Sequence, residues 1–195
     1  MSVSSRTSNT ISLGDRFSDW AVIAIATIAL LTGWFYKSSV ENRSVPFEAS
    51  GISAQTPQGW LMASTQGNEV LHVTDPTSGG FGTSYIVQNI PVEADSVVGQ
   101  AVSLLTLQHG QALTAYRLLE QRQVTVSGKP AYELSYVFVE SNPNLTHNEF
   151  PNIVRGMDYI FLTGDHAVVA TYWADKQTFE DDLGRFQLFL KSLKF

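Results

Sequence analysis

The sequence contains no cysteine. Disulfide staples, a thiolate nucleophile and cysteine-ligated metal sites are therefore excluded. Positive charge is also scarce, with 12 Lys and Arg against 18 Asp and Glu and a net charge of −6. Residues 1–46 hold four basic and three acidic side chains, so the remainder stands at −7. A surface of that sign is a poor partner for nucleic acid and for anionic lipid headgroups. Catalytic signatures are missing too. His72, His109, His147 and His166 lack the short spacings of zinc sites, and there is neither a Gly-x-Ser-x-Gly nor a phosphate-cradling Gly loop. The cluster Gly79-Gly80-Phe81-Gly82 follows a strand-like run but opens no helix, which makes it a turn. The sequence thus predicts no catalytic, cofactor-binding or metal-ligating set.

What is present begins with an uncharged run, Trp20 to Tyr36, bracketed by Asp19 and Lys37. As a helix it rises roughly 25 Å, the low end of what crosses a bilayer core. Trp20 at one end and Trp34, Phe35 and Tyr36 at the other suit the headgroup level. A cleaved signal peptide would need a shorter apolar core and small side chains at its exit, whereas Gly33-Trp34-Phe35-Tyr36-Lys37 is bulky. A buried core helix would carry a polar stripe, and this run has none. A retained transmembrane helix is expected. Flanking charge does not orient it, since Arg6 and Arg16 are balanced by Lys37 and Arg43. The layout of short tail, one span and large C-terminal domain is that of a signal-anchor, which points to an extracytoplasmic domain. Ala26, Ala29 and Gly33 lie on roughly one face, where a neighbouring helix could approach closely; alanine is also simply common in spans.

The chain divides accordingly into a tail (1–19), the span (20–36), a polar linker without periodicity (37–50) and one domain (51–195). Within the domain, Glu69–Asp75 and Thr83–Ile90 read as strands of a hairpin with a long loop. From Asp95 to His109 apolar residues recur at helical spacing, with Asp95 as cap and Gly110 as stop. Tyr116–Val126 and Pro130–Glu140 form a second hairpin across Ser127-Gly128-Lys129, and Ile153–Thr163 and His166–Trp173 a third across Gly164-Asp165. Tight turns require antiparallel pairing. The last helix is capped by Thr178, carries Glu180, Asp181 and Asp182 at its positive end and Lys191 and Lys194 at its negative end. Phe179, Leu183, Phe186, Leu190 and Leu193 give it one apolar stripe that should pack on the sheet, widened by Phe189. The order describes an α+β fold, an antiparallel sheet flanked by helices in an α/β/α sandwich, preceded by one transmembrane helix.

One segment stands out as a possible contact loop. Residues 140–152 are polar, exceed the usual hairpin connection and contain Glu140, His147 and Glu149. His147 and Glu149 could bind a divalent cation, but the sequence places no third ligand; a solvated or partner-contact loop is the plainer alternative.

Four pieces of the domain resemble the PsbP/Mog1-like superfamily: Ile52-Ser53-Ala54-Gln55-Thr56-Pro57-Gln58-Gly59-Trp60, Val126-Ser127-Gly128-Lys129-Pro130-Ala131-Tyr132, the late hairpin around Gly164-Asp165, and Phe186 to Phe195. The resemblance covers Ile52 to Phe195 and implies a scaffold more than a chemistry. It implies a mostly non-enzymatic group of binding or accessory proteins, among them extrinsic subunits on the lumenal side of photosystems. The anchor, and the lack of a transit peptide, depart from the photosynthetic members. No metal or cofactor residue carries over; Pro57, Gly59 and Trp60 fit a tight turn with an aromatic plug, and Gly128 and Pro130 shape a hairpin. The expectation is a non-catalytic single-span accessory subunit of a multi-subunit membrane complex, with electron-transfer (respiratory or photosynthetic) complexes as hosts, in a bacterial inner or thylakoid-type membrane. Its partners would be other subunits and the lipid bilayer. A free-standing, membrane-tethered ligand- or peptide-binding protein is the alternative, and an enzyme with a site assembled from distant residues is the third.

Overall fold

The computed structural model describes residues 13–41, 43–78, 81–92, 98–140 and 151–195. The chain forms two units, Met1–Arg43 and Ser44–Phe195. The first contains α1 (Leu13–Glu41), a helix of 29 residues. It begins within the expected tail and ends within the expected linker. No proline interrupts Leu13–Glu41, so helical hydrogen bonding propagates past both ends of the apolar run.

The second unit opens with a hairpin where a linker was expected. β1 (Ser44–Ala49) pairs antiparallel with β2 (Ile52–Pro57) in a sheet of two strands. Ser50 and Gly51, both at positive φ (51° and 77°), form the two-residue turn whose twist suits a hairpin. The remaining strands are β3 (Leu61–Met62), β4 (Glu69–Thr74), β5 (Ser84–Pro91), β6 (Arg117–Val126), β7 (Lys129–Glu140), β8 (Asn152–Thr163) and β9 (His166–Asp175). They make one sheet in the order β3-β4-β5-β9-β8-β7-β6, with every neighbouring pair antiparallel. The three hairpins foreseen in the sequence are all present. The link from β5 to β6 carries α2 (Val98–Ala112) across the sheet, so β6 forms the edge opposite β3.

Strand side chains alternate between faces, and here both faces are apolar. On one, α3 (Phe179–Ser192) buries Phe179, Phe186, Phe189 and Leu190 against Leu71, Tyr85, Tyr172 and their neighbours. Tyr85 is the hub, its ring centroid 4.4 Å from Trp60, 5.1 Å from Phe186 and 5.0 Å from Phe189. On the other face, α2 buries Ala101, Val102 and Leu105 against Leu134, Tyr136, Phe138, Ile160 and Val169. The domain is therefore the expected three-layer α/β/α sandwich.

Helix ends differ from expectation in detail. Gly110 does not stop α2, which continues to Ala112, with the Leu113 amide closing onto the His109 carbonyl at 2.8 Å. Asp95, expected as its cap, lies outside the described residues. Thr178 does precede α3, but in helical backbone (φ −104°, ψ −1°) and without a side-chain capping bond. The Asp181 amide donates instead to its carbonyl at 3.0 Å, and Glu180, Asp181 and Asp182 complement the helix dipole.

Candidate functional site

The first candidate is the surface of α1. Trp20, Ile23, Leu30, Trp34, Phe35 and Tyr36 are between 55% and 76% exposed, and every described position from Trp20 to Lys37 is exposed. This window is long and apolar enough to cross a membrane. Its two threonines spend their hydroxyls inside the helix, Thr27 donating to the Ile23 carbonyl and Thr32 to that of Ile28, both at 2.8 Å. Such back-bonding satisfies both threonine hydroxyls within the helix. Around Gly33, on the face it shares with Ala26 and Ala29, a Cβ would meet nothing within 4 Å among the described residues.

The second is a buried polar chain that sequence reasoning missed. Asp158 of β8 is 0% exposed and lies under α2. Its Oδ2 stands 2.8 Å from Nε2 of His109, itself 8% exposed, while Oδ1 accepts the Tyr136 hydroxyl at 2.9 Å. Trp173 Nε1 in turn donates to the Tyr136 hydroxyl at 2.7 Å. The His109 ring lies beside those of Tyr136 and Tyr116, at 4.9 and 5.7 Å between centroids. Burial, and then the negative charge of Asp158, hold the Tyr136 hydroxyl well above its ordinary pKa, and the same causes raise Tyr116. Gly156, opposite Tyr136 in the β7-β8 register, leaves the space for that ring; a Cβ there would overlap it.

A His-Asp pair suggests acid-base chemistry, but the groups around this one point to fastening. Donors from β7 and α2 converge on a single carboxylate in the apolar layer, tying the C-terminal turn of α2 to the middle of the sheet. Among the described residues, no three His, Asp or Glu side chains gather as a metal site. The sequence did carry a signal. His109 continues the Ala101, Val102, Leu105 stripe, and Asp158 shares the phase of Val154 and Ile160, so both polar residues occupy core positions.

The third candidate is the loop. Glu140 ends β7 paired to Asn152 and is exposed; His147 and Glu149 lie outside the described residues. The fourth is the β6 edge, flanked by two hollows. One of about 550 Å³ is lined by Val98, Gln123, Pro130, Tyr132, Ile160 and Leu162 among others. The other, about 300 Å³, lies toward α3, with Arg122, Glu133, Tyr159, Gln187 and Lys191 among its walls. Arg122 bonds the buried Glu133 at 2.6 Å, a contact that closes the floor of this second hollow.

No family model and no curated protein matches the chain. Solved structures do. The solution structure of PsbP (CyanoP) from Synechocystis is 14% identical over 78% of this chain and 92% of its own, with a TM-score of 0.53. The Ran-binding protein Mog1p of Saccharomyces cerevisiae is 13% identical over 77% and 94%, with a TM-score of 0.50. LpqN of Mycobacterium tuberculosis, described as involved in cell envelope biogenesis, is 10% identical over 77% and 89%, also at 0.50. Identities this low establish the fold alone: the domain has the PsbP/Mog1-like fold behind an N-terminal apolar helix. None of the three descriptions names a reaction.

Proposed function

We propose that this chain is a non-catalytic, single-span accessory subunit of a multi-subunit membrane complex, its sandwich domain docking on the extracytoplasmic face of that assembly. The observation that carries the proposal is the apolar surface of α1, exposed on all sides while the domain closes both of its own cores. An apolar helix whose described side chains are all exposed needs lipid or neighbouring helices, and small residues on one face suit close helix approach. The His109-Asp158 pair supports a binding rather than a chemical role, because its groups are consumed in joining α2 to the sheet. Electron-transfer complexes are the hosts this reading favours, on the sequence resemblance and the fold.

The hollow of about 550 Å³ beside β6 favours a second reading, a free-standing tethered binder of a small ligand or peptide. Extraction from native membranes in mild detergent, with cross-linking before lysis, separates the two. The accessory-subunit reading expects defined partner chains in stoichiometric amounts; migration of the chain alone, uncross-linked, overturns it.

A further inference from the structure

We infer that β6 is a docking edge for an extended, acidic segment of a partner protein, which adds as an eighth strand to the large sheet. The inference rests on the docking role proposed above and names the surface and the chemistry of its partner.

The two edges of the sheet are unlike. β3 is only two residues long, whereas β6 offers ten. A register shift between Leu118 and Glu120, with the Glu120–Arg122 contact at 3.7 Å, blunts the first half of β6 in the manner by which proteins guard free edges. From Glu120 to Val126 the pairing with β7 is continuous and, among the described residues, the outer side bears no strand. Val126 and Lys129 flank the two-residue turn Ser127-Gly128, both at positive φ, as the bonded pair. Alternation then turns the amides and carbonyls of Thr125, Gln123 and Gln121 outward.

The two hollows flank this open half. An incoming strand would send alternate side chains to opposite faces, the arrangement by which strand addition obtains specificity. Residues opposite Gln123 and Thr125 meet the apolar walls of Val98, Tyr132 and Leu162. Residues opposite Arg122 and Val124 meet the hollow that Lys191 lines, and Lys129 stands at the same corner with its Nζ 3.7 Å from the Phe195 ring centroid. Arg122 is paired with Glu133 at 2.6 Å, so within a segment of −7 it is Lys129 and Lys191, at the Val126 end of the strand, that favour carboxylates at the alternate positions.

The test uses the full chain in detergent and a fluorescein-labelled nine-residue peptide of alternating Val and Glu, with the Val-Lys peptide as counterpart. Saturable anisotropy with the first and at least tenfold weaker binding of the second is expected, together with slowed hydrogen exchange at Gln121, Gln123 and Thr125. Gln123→Pro removes one outward donor at a position where an edge strand tolerates proline and should weaken binding tenfold or more; Gln123→Ala, which keeps the donor, should not. Lys191→Glu, distant from the strand backbone, should weaken the Val-Glu peptide at least fivefold and guards against a misfolded proline variant. Equal binding of both peptides, no binding to 1 mM, or indifference to Gln123→Pro and Lys191→Glu overturns the inference, as does dimerisation of the chain that Gln123→Pro abolishes. A chain that migrates alone in detergent yet binds the peptide refutes the complex and leaves the edge standing. One that co-purifies with partners yet passes none of these tests refutes the edge alone.

Discussion

Replacing His109 by Leu should destabilise the domain far more than the loss of one hydrogen bond. Asp158 is wholly buried, and among the described residues its carboxylate has two side-chain partners, His109 Nε2 at 2.8 Å and the Tyr136 hydroxyl at 2.9 Å. Removing the imidazole leaves a buried carboxylate oxygen without its partner, at about 3 kcal/mol. Against a total of about 5–15 kcal/mol for a domain, that is from about a fifth to more than half of the stability. The converse change, Asp158→Leu, removes the charge but orphans His109 and deprives the Tyr136 hydroxyl of its acceptor, for about 2–4 kcal/mol. The double variant should then cost much less than the sum, with a coupling of about 1.5–3 kcal/mol. Urea unfolding of residues 44–195, followed by the fluorescence of Trp60 and Trp173, measures it. At a slope of about 2 kcal/mol per molar, His109→Leu should lower the midpoint by about 1.5 M. Additive losses within about 0.5 kcal/mol, or a His109→Leu cost below 1 kcal/mol, would refute the pairing.

Three further outcomes are expected. The Tyr85 hydroxyl is buried without a hydrogen-bond partner among the described residues, so Tyr85→Phe should leave stability unchanged or raise it by up to about 2 kcal/mol in the same urea assay; a loss above 1 kcal/mol contradicts the assignment. Gly156→Ala should push the Tyr136 ring off Asp158, destabilise by about 2–4 kcal/mol and alter the near-ultraviolet signal of Trp173, and an unperturbed spectrum would count against the close approach. Burial raises the tyrosine pKa at Tyr85, Tyr136, Tyr159 and Tyr172. The unfolded chain therefore loses these protons first as pH rises; their contribution is constant below about pH 10 and falls by about 1.4 kcal/mol per tyrosine per pH unit above it. The domain should unfold between about pH 11 and 13, with the phenolate absorbance of these four appearing together with the loss of structure; ionisation clearly preceding unfolding would contradict their burial.

The elements that local pattern specifies were legible. The stripe of α3 steps by four and three residues, and the alternation of Tyr132, Leu134, Tyr136 and Phe138 announces β7, so helix and hairpin periods were unambiguous. The hairpin of β1 and β2 was not, although its turn uses the dipeptide Ser-Gly that correctly marked the turn at 127–128. The difference lies in the flanks. Ser-Val-Pro-Phe-Glu-Ala carries a proline at its third position and only Phe47 and Ala49 partly buried, so it lacks the alternation that made the later turn credible. A lone two-stranded sheet at the margin of the fold is set by its contacts, here the isolated bridge from Ser53 to Lys194, more than by its own pattern.

The candidate sites were harder for a related reason. His109 and Asp158 are 49 residues apart, and the crossover of α2 over the sheet, which brings them together, follows from β5 pairing with β9. That pairing joins strands about 80 residues apart along the chain and leaves no local trace. The same crossover makes β6 an edge. Its polar sequence, Arg-Leu-Leu-Glu-Gln-Arg-Gln-Val-Thr-Val, fits a strand with one side in water, but the docking proposed for it rests on outward amides and the hollows beside them, neither of which side-chain periodicity encodes. The chemistry of α1 is the opposite case: an apolar run is legible without any partner, because the solvent it requires is written into its composition. The apolar helix was therefore readable from one local segment, whereas the free edge of the sheet became readable only once strand order was known.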